Sequence, residues 1–484
     1  MGEDRLAQSS AARRHATRDA VVVLPGVMGS NLVEDATGRR LWGVLEIARL
    51  TARWRDGRDL ATLAVTEDER DGKVGRIRPD GLLSTPEWAP SLGLEPYSNL
   101  MREIRACVVH PDAVLPFDYD WRLSVEFNAG LLAERLSRHL ERWREHPAQM
   151  AARRSAPDEG DARVVLVAHS MGGLVAASMC ARRPDLAAQV RASVTLGTPF
   201  EGAVKATVIL NAGRGLPVRL DKKHMQELAR TLPGLHDLLP TYRCLVTDDD
   251  VVALSRGDLA ALGADPDLAE RSAVFHRHLD AAALPEHTAV VGYGQETAQS
   301  LRLRNGTVEA LFHGFRRDGA DRVHRGEDGR PVPVDHTGDG TVFRYSATPP
   351  GRKAVPIVQD HGALAATGSA LDIVRGVLEE IPRGSALDGT GVRVRVPDLV
   401  TVGEPFEISV DSVQDPLAVT CTVEDARHER RPPVDTPRLL RTGDAETVAG
   451  TATVHDAGLY RVAVAAGVDP VTRLVLAVPP ASAA

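Results

Sequence analysis

Apolar positions follow two different rules along this chain, and the change falls near Pro382. Upstream, the runs "AVVVLPG", "RACVVHPDAVLPFDYDW", "VVLVAHS", "ASVTLGTPF" and "TAVVGYG" are rich in β-branched residues, show no alternation, and stop at Gly, Pro or a polar cluster. A strand that is apolar on both faces belongs inside a parallel sheet covered by helices. Between two of these runs, "NAGLLAERLSRHLERWREH" sets Leu132, Leu136, Leu140 and Trp143 along one helical face, as a crossover helix requires. The stretch from about 200 to 285 is less regular, mostly helical and interrupted by Gly and Pro, and reads as a cap inserted over the sheet.

Downstream the pattern alternates strictly. Val392, Val394 and Val396 are separated by Arg393 and Arg395; Phe406, Ile408 and Val410 follow, then Val419, Cys421 and Val423. Period two with one polar face predicts half-buried antiparallel strands, and roughly seven of them at this spacing suggest a sandwich. "DAGLY", Asp456 to Tyr460, is similar to the tyrosine-corner segment of immunoglobulin-like domains, with Val462 where antibody domains carry their second cysteine. The expected organisation is a flexible N-terminal segment at 1–19, an α/β domain over 20–382, a linker "RGSALDGTG" at 383–391, and an immunoglobulin-like β-sandwich over 392–484.

Composition narrows the function. With 484 residues, 43% of them hydrophobic, the chain can bury a large core. A net charge of -8 and a pI near 6.1, with no basic stripe, set nucleic-acid binding aside. Cys107, Cys180, Cys244 and Cys421 lie far apart with no metal-ligand spacing, which indicates neither a disulfide framework nor a zinc site and fits a reducing compartment. The first twenty residues lack the apolar core of a signal peptide, and no run approaches the ~18 to 20 apolar residues of a membrane span. A cytoplasmic location is therefore expected.

The chemistry is carried by "VVLVAHSMGGLVA", where an apolar strand meets His169 and Ser170 and then turns into a helix of small residues. A serine hydroxyl is a poor nucleophile unless a base lies within hydrogen-bond reach. Ala168-His169-Ser170-Met171-Gly172 fits the nucleophile elbow, with alanine in place of its first glycine. The competing reading, weaker even on this segment alone, is a serine that caps the helix. Two later segments decide between them: Asp339 in "HTGDGTVFRYSA" and His361 in "VQDHGALAAT" give the chain order Ser, Asp, His of the α/β-hydrolases. His336 and Asp360 are their nearest competitors. The oxyanion donors are assigned to the amides of Met171, directly after the nucleophile, and Val27 in the turn "LPGVMGSNL", where a plain strand-to-loop turn is the competing reading.

Taken together, "VVVLPGVMGSNL", "FDYDWR", "VAHSMGG", "LGTPFEGA", "LPGLHDLLP", "GDGTV" and "DHGAL" resemble, in order over residues 20 to 380, the blocks of the lecithin:cholesterol acyltransferase-like family, which includes lysosomal phospholipase A2 and many bacterial esterases. The resemblance implies an α/β-hydrolase with Ser170 as nucleophile, Asp339 and His361 completing the triad, and Val27 with Met171 as oxyanion hole. It also implies a lipid ester as substrate. Mammalian members bind membranes through a disulfide-bounded loop; here Trp42 and Trp54 fall in that region without a cysteine pair.

A triad of this kind performs acyl transfer without a metal or an organic cofactor. Hydrolysis is the expected outcome, transfer to a lipid alcohol the runner-up, and an effector role for the sandwich the alternative of another class. Val208, Ile209 and Leu210 are the candidate lining of an acyl pocket in the cap. Peripheral contact with a membrane and a protein partner of the sandwich both stay open. Since every chemical block lies upstream of the linker, the sandwich is expected to be dispensable for cleaving a soluble ester.

Overall fold

The computed structural model describes residues 16–43, 61–83, 97–155, 160–212, 222–279, 284–316, 322–349, 354–381, 392–426, 432–443, 446–466 and 469–480. Six strands form the central sheet: β1 (Ala20–Leu24), β2 (Val114–Pro116), β3 (Val164–His169), β4 (Val190–Leu196), β5 (His287–Tyr293) and β6 (Ala354–Val358). Their order is β6-β5-β4-β3-β1-β2, and every pairing is parallel. β1 and β3 are buried at every position, as unbroken Val/Leu runs demand when both faces are covered.

The five apolar runs all contribute to this sheet. β6 was not among them, because "AVPIV" is a half-buried edge carrying Pro356, and proline weakens a strand signal. Chain direction across the sheet reverses between β1 and β3, which lie side by side although β2 falls between them in sequence. Open α/β sheets place their ligands at such a switch, beyond the C-terminal strand ends. The loop after Leu24 and the turn after His169 meet there.

Helix α1 (Tyr97–Ala106) precedes β2, α2 (Val125–Glu145) is the expected crossover helix, α3 (Met171–Arg182) follows β3, and α4 (Gly368–Leu378) closes the domain. Leu132, Leu136, Leu140 and Trp143 of α2 are all buried, and α2 packs on α3 and β1. Ser124 caps α2 by accepting from the Phe127 amide. α4 packs against α1 and β4.

Two differences from expectation concern the boundaries. Within the segment expected to be flexible, Thr17 and Asp19 are buried: the Thr17 amide donates to the Cys107 carbonyl at 2.7 Å, and Asp19 pairs with Arg191. The cap does contain helices, Val204–Ala212, Lys222–Thr231, Arg256–Leu262 and Pro266–Leu279. It does not end at 285, however. Leu245–Val246 and Val251–Val252 join Ser300–Arg304 and Thr307–Leu311 in a four-stranded sheet that draws on chain from both sides of β5.

The C-terminal region consists of two four-stranded sheets around their own core of Val394, Ile408, Val410, Val423, Val462 and Val475. Its strands are β7 (Arg393–Arg395), β8 (Leu399–Thr401), β9 (Phe406–Asp411), β10 (Thr420–Asp425), β11 (Leu440–Arg441), β12 (Val448–Ala452), β13 (Gly458–Ala465) and β14 (Val471–Val478). One sheet runs β7-β9-β12-β11, the other β8-β14-β13-β10. The Tyr460 hydroxyl donates to the Asp456 carbonyl at 2.8 Å, the bond that a tyrosine corner makes. The linker 383–391 lies outside the described residues.

Candidate active site

Ser170 sits between the end of β3 and the start of α3 with φ 52 and ψ -127, a conformation costly for any residue with a Cβ. Such a turn is held only where its surroundings leave no alternative. Gly172 is part of that constraint: a Cβ there would lie 2.4 Å from the Pro25 carbonyl oxygen and 2.8 Å from that of Leu24. The helix therefore starts almost in contact with the loop after β1. The Ser170 carbonyl accepts from the Thr198 hydroxyl at 2.9 Å, and its amide donates to the Leu196 carbonyl at 2.9 Å.

The hydroxyl, an imidazole and a carboxylate are hydrogen-bonded in series. Ser170 Oγ is 2.9 Å from His361 Nε2, and His361 Nδ1 is 2.7 Å from Asp339 Oδ2. Asp339 is fully buried, and its other oxygen accepts from the amides of Thr341 and Val342 at 3.0 and 2.7 Å. The two loops are also joined through the backbone, the His361 amide donating to the Asp339 carbonyl at 2.8 Å. Gly292 of β5 leaves the room for this: a Cβ on it would stand 2.5 Å from the Asp339 Cβ. The competitors are elsewhere. His336 packs on Tyr345 and faces the Phe315 carbonyl, while Asp360 forms an ion pair with Arg473.

With this geometry in view, the lecithin:cholesterol acyltransferase family model is found to match residues 40–272. Over that segment, a little under half of its length, the chain is similar to the lecithin:cholesterol acyltransferase family. The matched segment contains Ser170 but neither Asp339 nor His361, so those two rest on the hydrogen bonds just described. No curated protein sequence matches the chain. Among solved structures, a chain of the Tle4-Tli4 complex is 16% identical, with 75% of this chain and 99% of that chain covered and a TM-score of 0.45. The mature form of the Bacillus licheniformis lipase BlEst2 is 13% identical, with 75% and 92% covered and a TM-score of 0.32.

Ser170 and His361 open into a cavity of about 630 Å³. Its cap side carries the apolar residues Ile209, Met225, Leu228, Leu232, Leu235 and Leu238, with Lys205 as a charged neighbour that donates to the Thr341 hydroxyl at 3.1 Å. Of the three residues expected to line it, only Ile209 does so. Leu210 is in the main core, and Val208 packs with Tyr242 and Phe343. Gly26 and Val27 also line the cavity, and a Cβ on Gly26 would be 2.8 Å from that of Ser170, so the segment expected to supply an oxyanion donor lies against the nucleophile. Met171 is the first residue of α3, where amides have no intrahelical acceptor.

Sequence reasoning missed the residues that tie these loops together. The Gly26 amide donates to the Tyr97 hydroxyl at 2.7 Å, and that hydroxyl lies 2.9 Å from His169 Nδ1. His169 Nε2 in turn is 3.0 Å from the His361 carbonyl oxygen. Burial, reinforced by the neighbouring His361, pushes His169 down to about 3, so the ring is neutral. The pattern is satisfied when Tyr97 donates to Nδ1 and Nε2-H donates to the carbonyl. One uncharged imidazole thus links the loop after β1 to the loop bearing His361.

The remaining blocks are structural. Arg122 of "FDYDWR" is fully buried and paired with Asp120 and Glu69, and the Gly234 amide of "LPGLHDLLP" donates to its carbonyl at 3.0 Å, fixing the cap to the sheet domain. Trp42 is 4% exposed and donates to the Met28 carbonyl, so it buttresses the loop after β1 and is not a membrane-facing residue. Trp54 lies outside the described residues. His110, Asp112 and His146 come together near the start of β2, but each imidazole accepts a local amide hydrogen bond there, from Asp112 and Ala148. Those bonds account for the cluster as local capping.

Proposed function

We propose that the protein is a serine acyl hydrolase that cleaves a lipid carboxylic ester through an acyl-Ser170 intermediate. The observation that carries this reading is the Ser170–His361–Asp339 series at the mouth of an apolar-sided cavity. Ser170 Oγ attacks the ester carbonyl carbon while its proton passes to His361 Nε2. Asp339 keeps the proton of the imidazole on Nδ1 and stabilises the imidazolium that forms. The amides of Val27 and Met171 receive the negative charge of the tetrahedral oxygen, aided by the positive end of α3. The C–O bond to the alcohol then breaks, and the alcohol leaves with the proton from His361. Water, deprotonated by the same imidazole, attacks the acyl carbon, and the acid departs as Ser170 recovers its proton.

The family match supports a lipid ester, and the row of cap leucines suits an acyl chain. No helix among the described residues is long and apolar enough to cross a membrane. Four cysteines buried apart from one another support a reducing, cytoplasmic setting. The test is labelling by a fluorophosphonate probe, followed by product analysis on a panel of phospholipids and simple esters with and without a long-chain alcohol. Ser170→Ala should lose both labelling and turnover. Free fatty acid should be the main product. New ester as the main product would make the protein an acyltransferase using the same three residues.

A further inference from the structure

The sandwich reaches into this site. Arg473 of β14 forms an ion pair with Asp360, the residue before His361. Its guanidinium also covers Gly340, the residue after Asp339: a Cβ on Gly340 would stand 2.7 Å from Arg473 Nη1. Gln359 extends the junction, its amide group donating to the Pro470 carbonyl at 3.0 Å and accepting from the Thr472 amide at 2.9 Å. Ser369, at the start of α4, is bound by Asp469. Independently of these bonds, Glu424, Arg461, Ala463, Thr472 and Leu474 line the same cavity as Ser170. An ester held there meets cap leucines on one side and a mixed polar wall from the sandwich on the other.

We propose that the sandwich is a working part of the active site, with Arg473 as a positioning residue that holds the Asp339 and His361 loops in register from outside the hydrolase domain. This rests on the hydrolase reading of Ser170, and it replaces the expectation that the sandwich is dispensable for cleaving a soluble ester. The guanidinium is always cationic, and its Nη1 both pairs with Asp360 and lies over Gly340, so one group touches the two loops. By pairing with Asp360 it draws that carboxylate away from the imidazole, to which Asp339 is hydrogen-bonded. Asp339, His169 and Asp360 flank His361, with Arg473 behind Asp360 and Asp398 near Arg473; Lys205, Glu424, Arg461 and Asp469 line the same cavity.

The test uses the full chain and three variants: Arg473→Met, Asp360→Asn, and the two combined. Two readouts are taken, the NMR titration of the His361 ring and the pH profile of kcat/KM on a short soluble ester. In Arg473→Met an unpaired carboxylate beside His361 favours the imidazolium. The ring then titrates higher than in the parent, and the acid limb moves with it. In Asp360→Asn an unpaired cation does the reverse. The double variant returns the titration to its starting place, yet kcat stays down roughly ten- to a hundred-fold because the loops have lost their clamp. Equal titrations in all four proteins, shifts of the same sign in both single variants, or kcat within twofold of the parent would overturn the proposal. Opposite shifts in a parent that neither labels with fluorophosphonate nor cleaves any ester would leave Arg473 linked to His361 and remove the hydrolase reading instead.

Discussion

Tyr97→Phe deletes one oxygen from the buried chain that joins the loop after β1 to His169. The side chain is 2% exposed, so its oxygen is shielded from bulk water at the wall of the cavity. Two partners are left behind: the Gly26 N–H, which donated at 2.7 Å, and His169 Nδ1, which lay 2.9 Å away. An unsatisfied buried polar group costs about 1 to 3 kcal/mol, so two cost roughly 2 to 6 kcal/mol before any relaxation. Relaxation is where activity enters. Gly26 can recover a partner only by turning its amide, and that motion drags Val27, the proposed oxyanion donor. Loss of one such donor lowers kcat by about a hundred- to a thousand-fold. We therefore expect a loss of stability in urea unfolding together with a fall in kcat on a short soluble ester, and little change in KM. Stability within about 0.5 kcal/mol of the parent together with kcat within twofold would refute the role assigned to this chain of bonds.

Three further outcomes follow from the same geometry. His361→Ala should abolish ester cleavage and His336→Ala should leave it near normal, while Asp339→Asn keeps the shape but favours the wrong tautomer and loses up to roughly ten-thousand-fold in kcat; an active His361 variant would move the base elsewhere. Gly172→Ala forces a methyl to within 2.4 Å of the Pro25 carbonyl oxygen, so strand loop and helix must part, with a cost of about 1 to 3 kcal/mol and a disproportionate loss of kcat; parental kinetics would show that the contact is slack. Asp237, which accepts from the Val125 amide, is pushed by burial from 3.8 up to about 7. Between those values the unfolded chain releases this proton and the folded chain keeps it, so stability falls as pH rises, by on the order of 4 kcal/mol across the window. Asp237→Asn retains the acceptor and should flatten that slope in unfolding measured from about pH 4.5 to about pH 7.5; an unchanged slope would refute it.

What could be read from sequence was what depends on short stretches of chain. Continuous valine runs identify β1 and β3 because burial on both faces leaves no polar position, and Ser170 is visible because an elbow needs small residues within two positions of it. Asp339 and His361 could be placed by chain order alone. β6 was hidden by Pro356 and by an edge position that is only half-buried, and the cap's small sheet by strands of two residues joined across β5. The second rank of the site was invisible for another reason. Tyr97 meets Gly26 across 71 residues and Arg473 meets Asp360 across 113, and neither sits in a run whose composition suggests such a contact.

That separation bears on how the site keeps its geometry. Ser170 sits between a buried central strand and a helix, its backbone bound by Leu196 and Thr198 and its turn packed on the loop after β1. His361 has no comparable local support: it follows the edge strand β6 in a loop whose amide, carbonyl and neighbouring carboxylate are each bound by a different part of the molecule, Asp339, His169 and Arg473 respectively. A proton acceptor must stay within hydrogen-bond reach of its serine through both half-reactions, so a loop free to drift would lower kcat without unfolding anything. The three tethers come from the loop before β6, from the end of β3 and from the sandwich. Loosening any one should therefore affect turnover before it affects global stability, and the sandwich tether is the one most easily tested apart from the nucleophile, because Arg473 acts through Asp360 and not through Ser170 or its turn.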